Sequence, residues 1–368
     1  MEKEYLYLVY LLKCALNKEK ANTTNLSYYD VFDIACKHSI AAMTFESVKD
    51  NLDASLYRKW EEVKNKAIAK DIYQRAELIK LIKLFEDENI RCMPLKGTIM
   101  KNYYPYTYFR EMADLDICID SCNREKVKKI LVNRDYIVDQ FGKIGHDVYF
   151  KKPIYNIEIH DYLINRLFPK LNQYFKDGFS LAKKQKGNVY YLSNEDFYLH
   201  LICHAYKHFY ENGTGIRSVL DIYVFRKYFK NQLNEKYIKE KVKLLEIEQF
   251  EKNINQLSLV WFECEMYNQY VKSFEKSIFD SGTYGSKEVY VNNIYKRNLE
   301  VLHNSLLAKI KLYWSRIFPK ILNMRENFPI LEKFIILLPF CYIYRILNAI
   351  LNKRNVIKKE IKLIKNAK

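Results

Sequence analysis

Residues 114–120 read Asp-Leu-Asp-Ile-Cys-Ile-Asp. The strict polar–apolar alternation predicts a β-strand, in which side chains two apart share a face. Leu115, Ile117 and Ile119 then bury one face, and Asp114 and Asp116 stand side by side on the other. Two adjacent carboxylates repel each other and need a neutralising partner. A divalent metal supplies one, and hard oxygen ligands select Mg²⁺ or Mn²⁺. The run Asn156-Ile157-Glu158-Ile159-His160 repeats the pattern, with Glu158 and His160 opposite Ile157 and Ile159. If the two strands are neighbours, Asp114, Asp116 and Glu158 converge as the donor set of a two-metal phosphoryl-transfer site.

Upstream, Arg91-Cys92-Met93-Pro94-Leu95-Lys96-Gly97 reads as a short strand. A helix is expected to open at Thr98, a good N-cap residue. Gly97 lets a phosphate approach the backbone, and the Thr98 hydroxyl can donate to it. Downstream, residues 123–136 predict a helix capped by Asn123, and YIVDQF, HDVYFKK and NIEIHDY predict three more strands. The fold class follows as α+β: a small mixed sheet flanked by helices, with a helical N-terminal segment and a large helical C-terminal region. The expected division is 1–90, 91–192 and 193–368.

The composition agrees with that division. Nine Gly and seven Pro in 368 residues leave few tight turns, which disfavours a many-stranded β-protein. Eight scattered cysteines, with no CxxC pair, read as reduced and buried, and a zinc site is not expected. Leu78, Leu81, Ile82 and Phe85 mark a helix ahead of the sheet. A looser stretch is expected around SGTYGS, residues 281–286.

The formal charge of +17 favours phosphate-bearing or anionic partners. Residues 287–368 hold 17 Lys or Arg against 5 Asp or Glu, so most of the excess lies away from the acidic strands. The apolar run Phe334–Tyr344 is too short to span a bilayer, which takes about 20 residues. The expectation is a cytoplasmic protein. Its apolar-then-basic C-terminal segment is read either as a core-packing helix with a solvated tail or as a contact for a membrane surface or a polyanionic acceptor.

His200, His204 and His208 recur every four residues and share a helix face. They are read as solvated or hydrogen-bonded, with His204 or His208 touching a phosphate or acceptor as the functional option. Arg217 is read either as a phosphate ligand or as an i,i+4 partner of Asp221.

The order of these features is similar to that of a known family. LKG is followed after about a dozen residues by Arg110-x-x-x-Asp114-x-Asp116, then by the E-x-H strand, then by His204-x-x-x-His208 with Arg217 and Asp221. This resembles the uncharacterised nucleotidyltransferase family of the DNA-polymerase-beta-type superfamily, over roughly residues 20–350. The resemblance implies transfer of a nucleoside monophosphate from an NTP to an acceptor hydroxyl, with pyrophosphate released. It implies Mg²⁺ or Mn²⁺ on Asp114, Asp116 and Glu158, where many relatives carry Asp at the third position. It implies nucleotide contacts at Lys96, Gly97 and Thr98. Arg110 would orient a phosphate or brace the acidic strand. His160, His204, His208, Arg217 and Asp221 match family positions as candidate substrate contacts. Two other readings remain at this level: a nucleotide-sugar-dependent glycosyltransferase using the same aspartates, and a degenerate transferase fold that binds RNA or protein.

Overall fold

The computed structural model describes residues 2–142, 146–282 and 285–367, and at Glu326 the backbone alone. Thr283 and Tyr284, in the middle of the expected looser stretch, lie outside the described residues. Four helices come first: α1 (Glu2–Asn17), α2 (Tyr28–Lys37), α3 (Ala41–Val48) and α4 (Ala54–Asp87). Asp53 starts α4 by accepting from the amides of Ser55 and Leu56, both at 2.9 Å. At 34 residues α4 is about 50 Å long, so its two ends serve different cores. Trp60 near its start is buried among the N-terminal helices, where its Nε1 donates to the Ala41 carbonyl at 2.7 Å. Leu81 and Phe85 near its end pack against the sheet.

The sheet is built from β1 (Cys92–Pro94), β2 (Leu115–Ile119), β3 (Ile137–Gln140), β4 (His146–Lys151), β5 (Tyr155–His160), β6 (Ala182–Lys186) and β7 (Val189–Leu192). Their spatial order is β3-β4-β5-β2-β1-β7-β6. β2 runs parallel to β5 and antiparallel to β1, so the sheet is mixed as expected. Leu115, Ile117, Ile119, Ile157 and Ile159 bury one face against the end of α4 and against α6 (Arg124–Val132). On that same side Asp147 is fully buried and paired with Arg124 at 2.5 Å.

The structure corrects several sequence expectations here. Thr98 does not cap the short helix α5 (Gly97–Met100); Lys96 holds the N-cap position. Its positive φ of 44° puts the N-cap two residues earlier than expected. The Thr98 hydroxyl turns back to donate to the Leu95 carbonyl at 2.5 Å. Asn123 sits at the N-cap of α6 without a side-chain capping bond, because its backbone is already helical. The stretch between Tyr162 and Ser193 holds α7 (Pro169–Phe175), β6 and β7, none of which the alternation announced. β6 reads Ala-Lys-Lys-Gln-Lys and is mostly exposed at the sheet edge, where charged side chains guard an unpaired strand and leave no apolar period. Three cysteines, Cys36, Cys122 and Cys264, are exposed, and all eight are free thiols.

Among the described residues ten helices follow: α8 (Asn194–Glu211), α9 (Ile216–Tyr228), α10 (Glu235–Leu244), α11 (Glu248–Glu263), α12 (Gln269–Ser281), α13 (Lys287–Leu302), α14 (Ser305–Ile317), α15 (Ile321–Asn327), α16 (Leu338–Asn352) and α17 (Arg354–Asn366). Side chains of α8 to α12 share one large core with α1 to α4 and with Met93, Leu95 and Cys118 of the sheet region. That core closes over the sheet face that carries Asp116 and leaves a cleft at its edge. Among the described residues, the last five helices bury two small clusters, around Leu312 and around Met324. α16 does not pack into a core: Cys341 is its sole buried residue. With the preceding turn it forms an 18-residue helical stretch, Ile335–Asn352, long and apolar enough to cross a membrane, of which 6% is buried. The 11-residue reading of this segment was therefore too short, because Arg345 interrupts the apolar run without ending the helix.

Candidate active site

The register between β2 and β5 pairs Asp116 with Glu158 and Cys118 with His160. β4 adds His146, opposite His160. The turn after β1 is held against β2 by the Leu95 amide, which donates to the Asp116 carbonyl at 3.0 Å. That places the Lys96 ammonium 2.8 Å from Asp116 Oδ1. His160 Nε2 lies 2.7 Å from the same oxygen. Glu158 Oε2 lies 3.4 Å from His146 Nε2 and 3.6 Å from His160 Nε2. Among the described residues, one group of three potential metal ligands closes to within 4.8 Å: His146, Glu158 and His160. Asp114 and Asp116 flank it on the cleft wall.

The charges in this cluster are unevenly matched. Burial alone would raise Asp116, but the Lys96 ammonium and the His160 hydrogen bond outweigh it and hold Asp116 well below the carboxylate range. Asp114 is matched less well: it shares a side-chain hydrogen bond with Glu158, and the charges of Lys96 and Arg217 lower it only in part. Burial, and then the negative charges of Asp116 and Glu158, push it up to about 7. Glu158 is raised by burial and then by Asp116. His160 is lowered to about 4, first by burial, so its ring is neutral near pH 7. Lys96 is raised, because the three carboxylates outweigh the burial that would lower it. The cluster thus carries more negative charge than its own cations discharge.

The facing wall comes from α8 and α9. His204 and His208 turn into the cleft with their Nε2 atoms 3.1 Å apart. His200, on the same stripe, does not. It is fully buried, with Nε2 3.4 Å from the Leu163 carbonyl and its ring edge-on to Phe175. Asp221 is committed to Arg110, whose Nε lies 2.7 and 2.9 Å from its two oxygens, and to the Tyr104 hydroxyl at 2.6 Å. Of the two readings of Arg217, the i,i+4 pair is therefore not the contact that Asp221 makes. Arg217 instead donates to the Glu111 carbonyl at 3.2 Å, which also accepts from Arg110 at 2.7 Å.

The cleft has a volume of about 340 Å³. Lys96, Gly97, Arg110, Asp114, Asp116, Glu158, His160, His204, His208, Arg217 and Asp221 all line it, and Thr98 does not. A Cβ on Gly97 would meet Met112 Sδ at 2.7 Å, so the glycine seats the turn against the cleft floor. A model of the uncharacterised nucleotidyltransferase family matches residues 28–263. The chain belongs to that family. No curated protein and no solved structure matches it.

The family match runs from α2 to the end of α11 and takes in every cleft residue named above. Nucleotidyltransferases generally use divalent metals, and the donor set fits one. Three carboxylates supply hard oxygens, two imidazoles stand beside them, and Asp114 is pushed up to about 7 by burial and then by the charges of Asp116 and Glu158. Two titratable residues of this nucleotidyltransferase cleft, His146 and Lys207, were not singled out by the sequence. His146 lies in an alternating strand, but only the β4–β5 register shows which face meets Glu158. Lys207 sits between the cleft histidines in sequence and lines the cleft, lowered by burial and then by Lys96. At i+3 from His204 it shares the face of the cleft histidines, but spacing alone does not say which face of the helix meets the acidic strands.

Proposed function

We propose that this nucleotidyltransferase moves a nucleoside monophosphate from an NTP to an acceptor hydroxyl. The acceptor oxygen bonds to the α-phosphorus, the bond from that phosphorus to the β-phosphate bridge breaks, and pyrophosphate leaves. Asp114, Asp116 and Glu158 would hold Mg²⁺ or Mn²⁺, with His146 and His160 beside them. The bound metal would neutralise the triphosphate and make the hydroxyl easier to deprotonate. Glu158 would take the hydroxyl proton, a role supported by its raised affinity for a proton, from burial and then Asp116. Lys96, Lys207 and Arg217 present positive charge to the triphosphate from both walls. The Arg110–Asp221–Tyr104 bonds brace the segment that leads into β2. Catalysis on this reading is mostly positioning and charge neutralisation.

The observation that carries the proposal is the Asp116–Glu158 register, with an under-neutralised Asp114 beside it and basic side chains opposite. The test is incubation with each α-labelled NTP, Mg²⁺ or Mn²⁺ and pooled candidate acceptors, reading label transfer and pyrophosphate. An Asp116→Asn protein that transferred label at the wild-type rate would sink it.

One contact favours a second reading, a degenerate fold used for binding. The Lys96 ammonium stands 2.8 Å from Asp116, on the oxygen that a metal would take. Nucleotide binding indifferent to metal would favour that reading. The glycosyltransferase alternative gains no support, because only β1 and α5 of the α/β core precede the acidic strand.

A further inference from the structure

We propose that α16 and α17 seat the protein in the plane of an anionic lipid bilayer. Ile336, Phe340, Ile343 with Tyr344, Leu347 and Leu351 recur at spacings of three and four residues and form one stripe, and each is more than half exposed. A soluble helix shows its polar face to water, and this one shows its apolar face. The opposite face is tied to the protein: the Tyr342 hydroxyl donates to the Pro319 carbonyl at 2.6 Å, and Arg345 Nη1 donates to the Ile317 carbonyl at 2.9 Å.

Those bonds favour a helix that lies on the membrane over one that crosses it. Crossing would break both and carry Arg345, near the middle of the 18-residue stretch, to the bilayer centre. Lying flat keeps them and buries the stripe at the level of the acyl chains, as interfacial helices do.

Charge selects the lipid. Residues 352–368 hold seven Lys or Arg against Glu360 alone, and Glu360 is already paired with Arg316. Arg354, Lys358, Lys359, Lys362 and Lys365 lie on α17, directly after the stripe. α17 keeps its own apolar side inward: Ile364 is buried with Leu312 of α14. An apolar stripe continuous with a basic helix fits a surface with an acyl interior and anionic headgroups. A nucleic acid offers the anions but nothing for the aliphatic stripe. The inference does not depend on the chemistry of the cleft, and the helices concerned lie outside the family match.

The test is co-sedimentation of the full chain with vesicles of phosphatidylcholine alone and with phosphatidylglycerol added, alongside light scattering without lipid. The wild-type chain is expected to pellet with the anionic vesicles and to retain part of that binding at high salt. Ile336→Ser/Phe340→Ser/Leu347→Ser is expected to abolish the salt-resistant part. Lys358→Gln/Lys359→Gln/Lys362→Gln is expected to weaken partitioning on the order of a hundredfold. Far-ultraviolet circular dichroism and a thermal melt matching the wild type serve as the folding control for both variants. Full chain left in the supernatant with anionic vesicles would overturn the proposal. So would a dimer that the stripe variant converts to monomer and that lipid does not compete away, since the stripe would then belong to a second copy. Salt-sensitive RNA binding that the stripe variant leaves intact, with no vesicle binding, would assign the basic helix to a polyanion and overturn it equally.

Discussion

Asp221→Asn is predicted to destabilise the protein by about 3–5 kcal/mol, the cost of removing one member of a buried ion pair. The magnitude follows from burial: the side chains of Arg110 and Asp221 are 11% and 9% exposed, far from the surface regime in which such pairs contribute at most about 1 kcal/mol. The substitution leaves the Arg110 guanidinium without its counter-charge. The new amide oxygen can still accept from Tyr104, so the lower end of the range applies. At ~2–4 °C per kcal/mol for a domain of this size, the thermal midpoint falls by roughly 6–12 °C. Urea titration reads the free energy directly. The double variant Arg110→Met/Asp221→Leu removes both charges, and its loss is expected to be smaller than that of Asp221→Asn alone. A loss below about 1 kcal/mol for the single variant, or strictly additive losses in the cycle, would refute the claim that this pair braces the approach to β2.

Three further outcomes are expected. Asp114 is raised to about 7 from an ordinary 3.8, so the folded state holds a proton that the unfolded state releases. Its contribution to metal-free stability is therefore present at low pH and lost as pH climbs through about 7. The difference in denaturation free energy between wild type and Asp114→Asn isolates this from His160, whose depressed value has the opposite slope; a pH-independent difference would contradict it. On the proposed reading Lys207→Met would remove one charge-assisted contact to the triphosphate, and it is expected to raise the dissociation constant for NTP by roughly 10–100-fold. His200→Ala is expected to cost stability without changing nucleotide affinity, because His200 is fully buried behind the cleft wall; calorimetry and melting curves separate the two effects.

The sheet strands that alternate were legible in the sequence. In Leu115–Ile119 and Tyr155–His160 one face must be buried, so the apolar residues announce the pleat and the acids fall together on the other side. β6 was not legible because an edge strand of lysines has no face to bury. The partner of Asp221 was not legible either. Spacing proposes neighbours within a helix, whereas Arg110 lies 111 residues upstream and meets Asp221 only when α9 packs over the segment before β2. His146 shows the same limit: alternation gives two faces, and the strand register decides which one holds chemistry. α16 shows it for packing, because an apolar stripe reads the same whether a core or a membrane covers it.

The central claim is that the acidic cluster holds a metal-bound nucleotide. Its most direct test is calorimetry with a nonhydrolysable NTP analogue, with and without Mg²⁺ or Mn²⁺, on wild type and on Asp116→Asn. The account predicts binding that needs the metal and that weakens at least tenfold in the variant. Equal affinity in the presence of a chelator, or an unchanged affinity in Asp116→Asn, would contradict it.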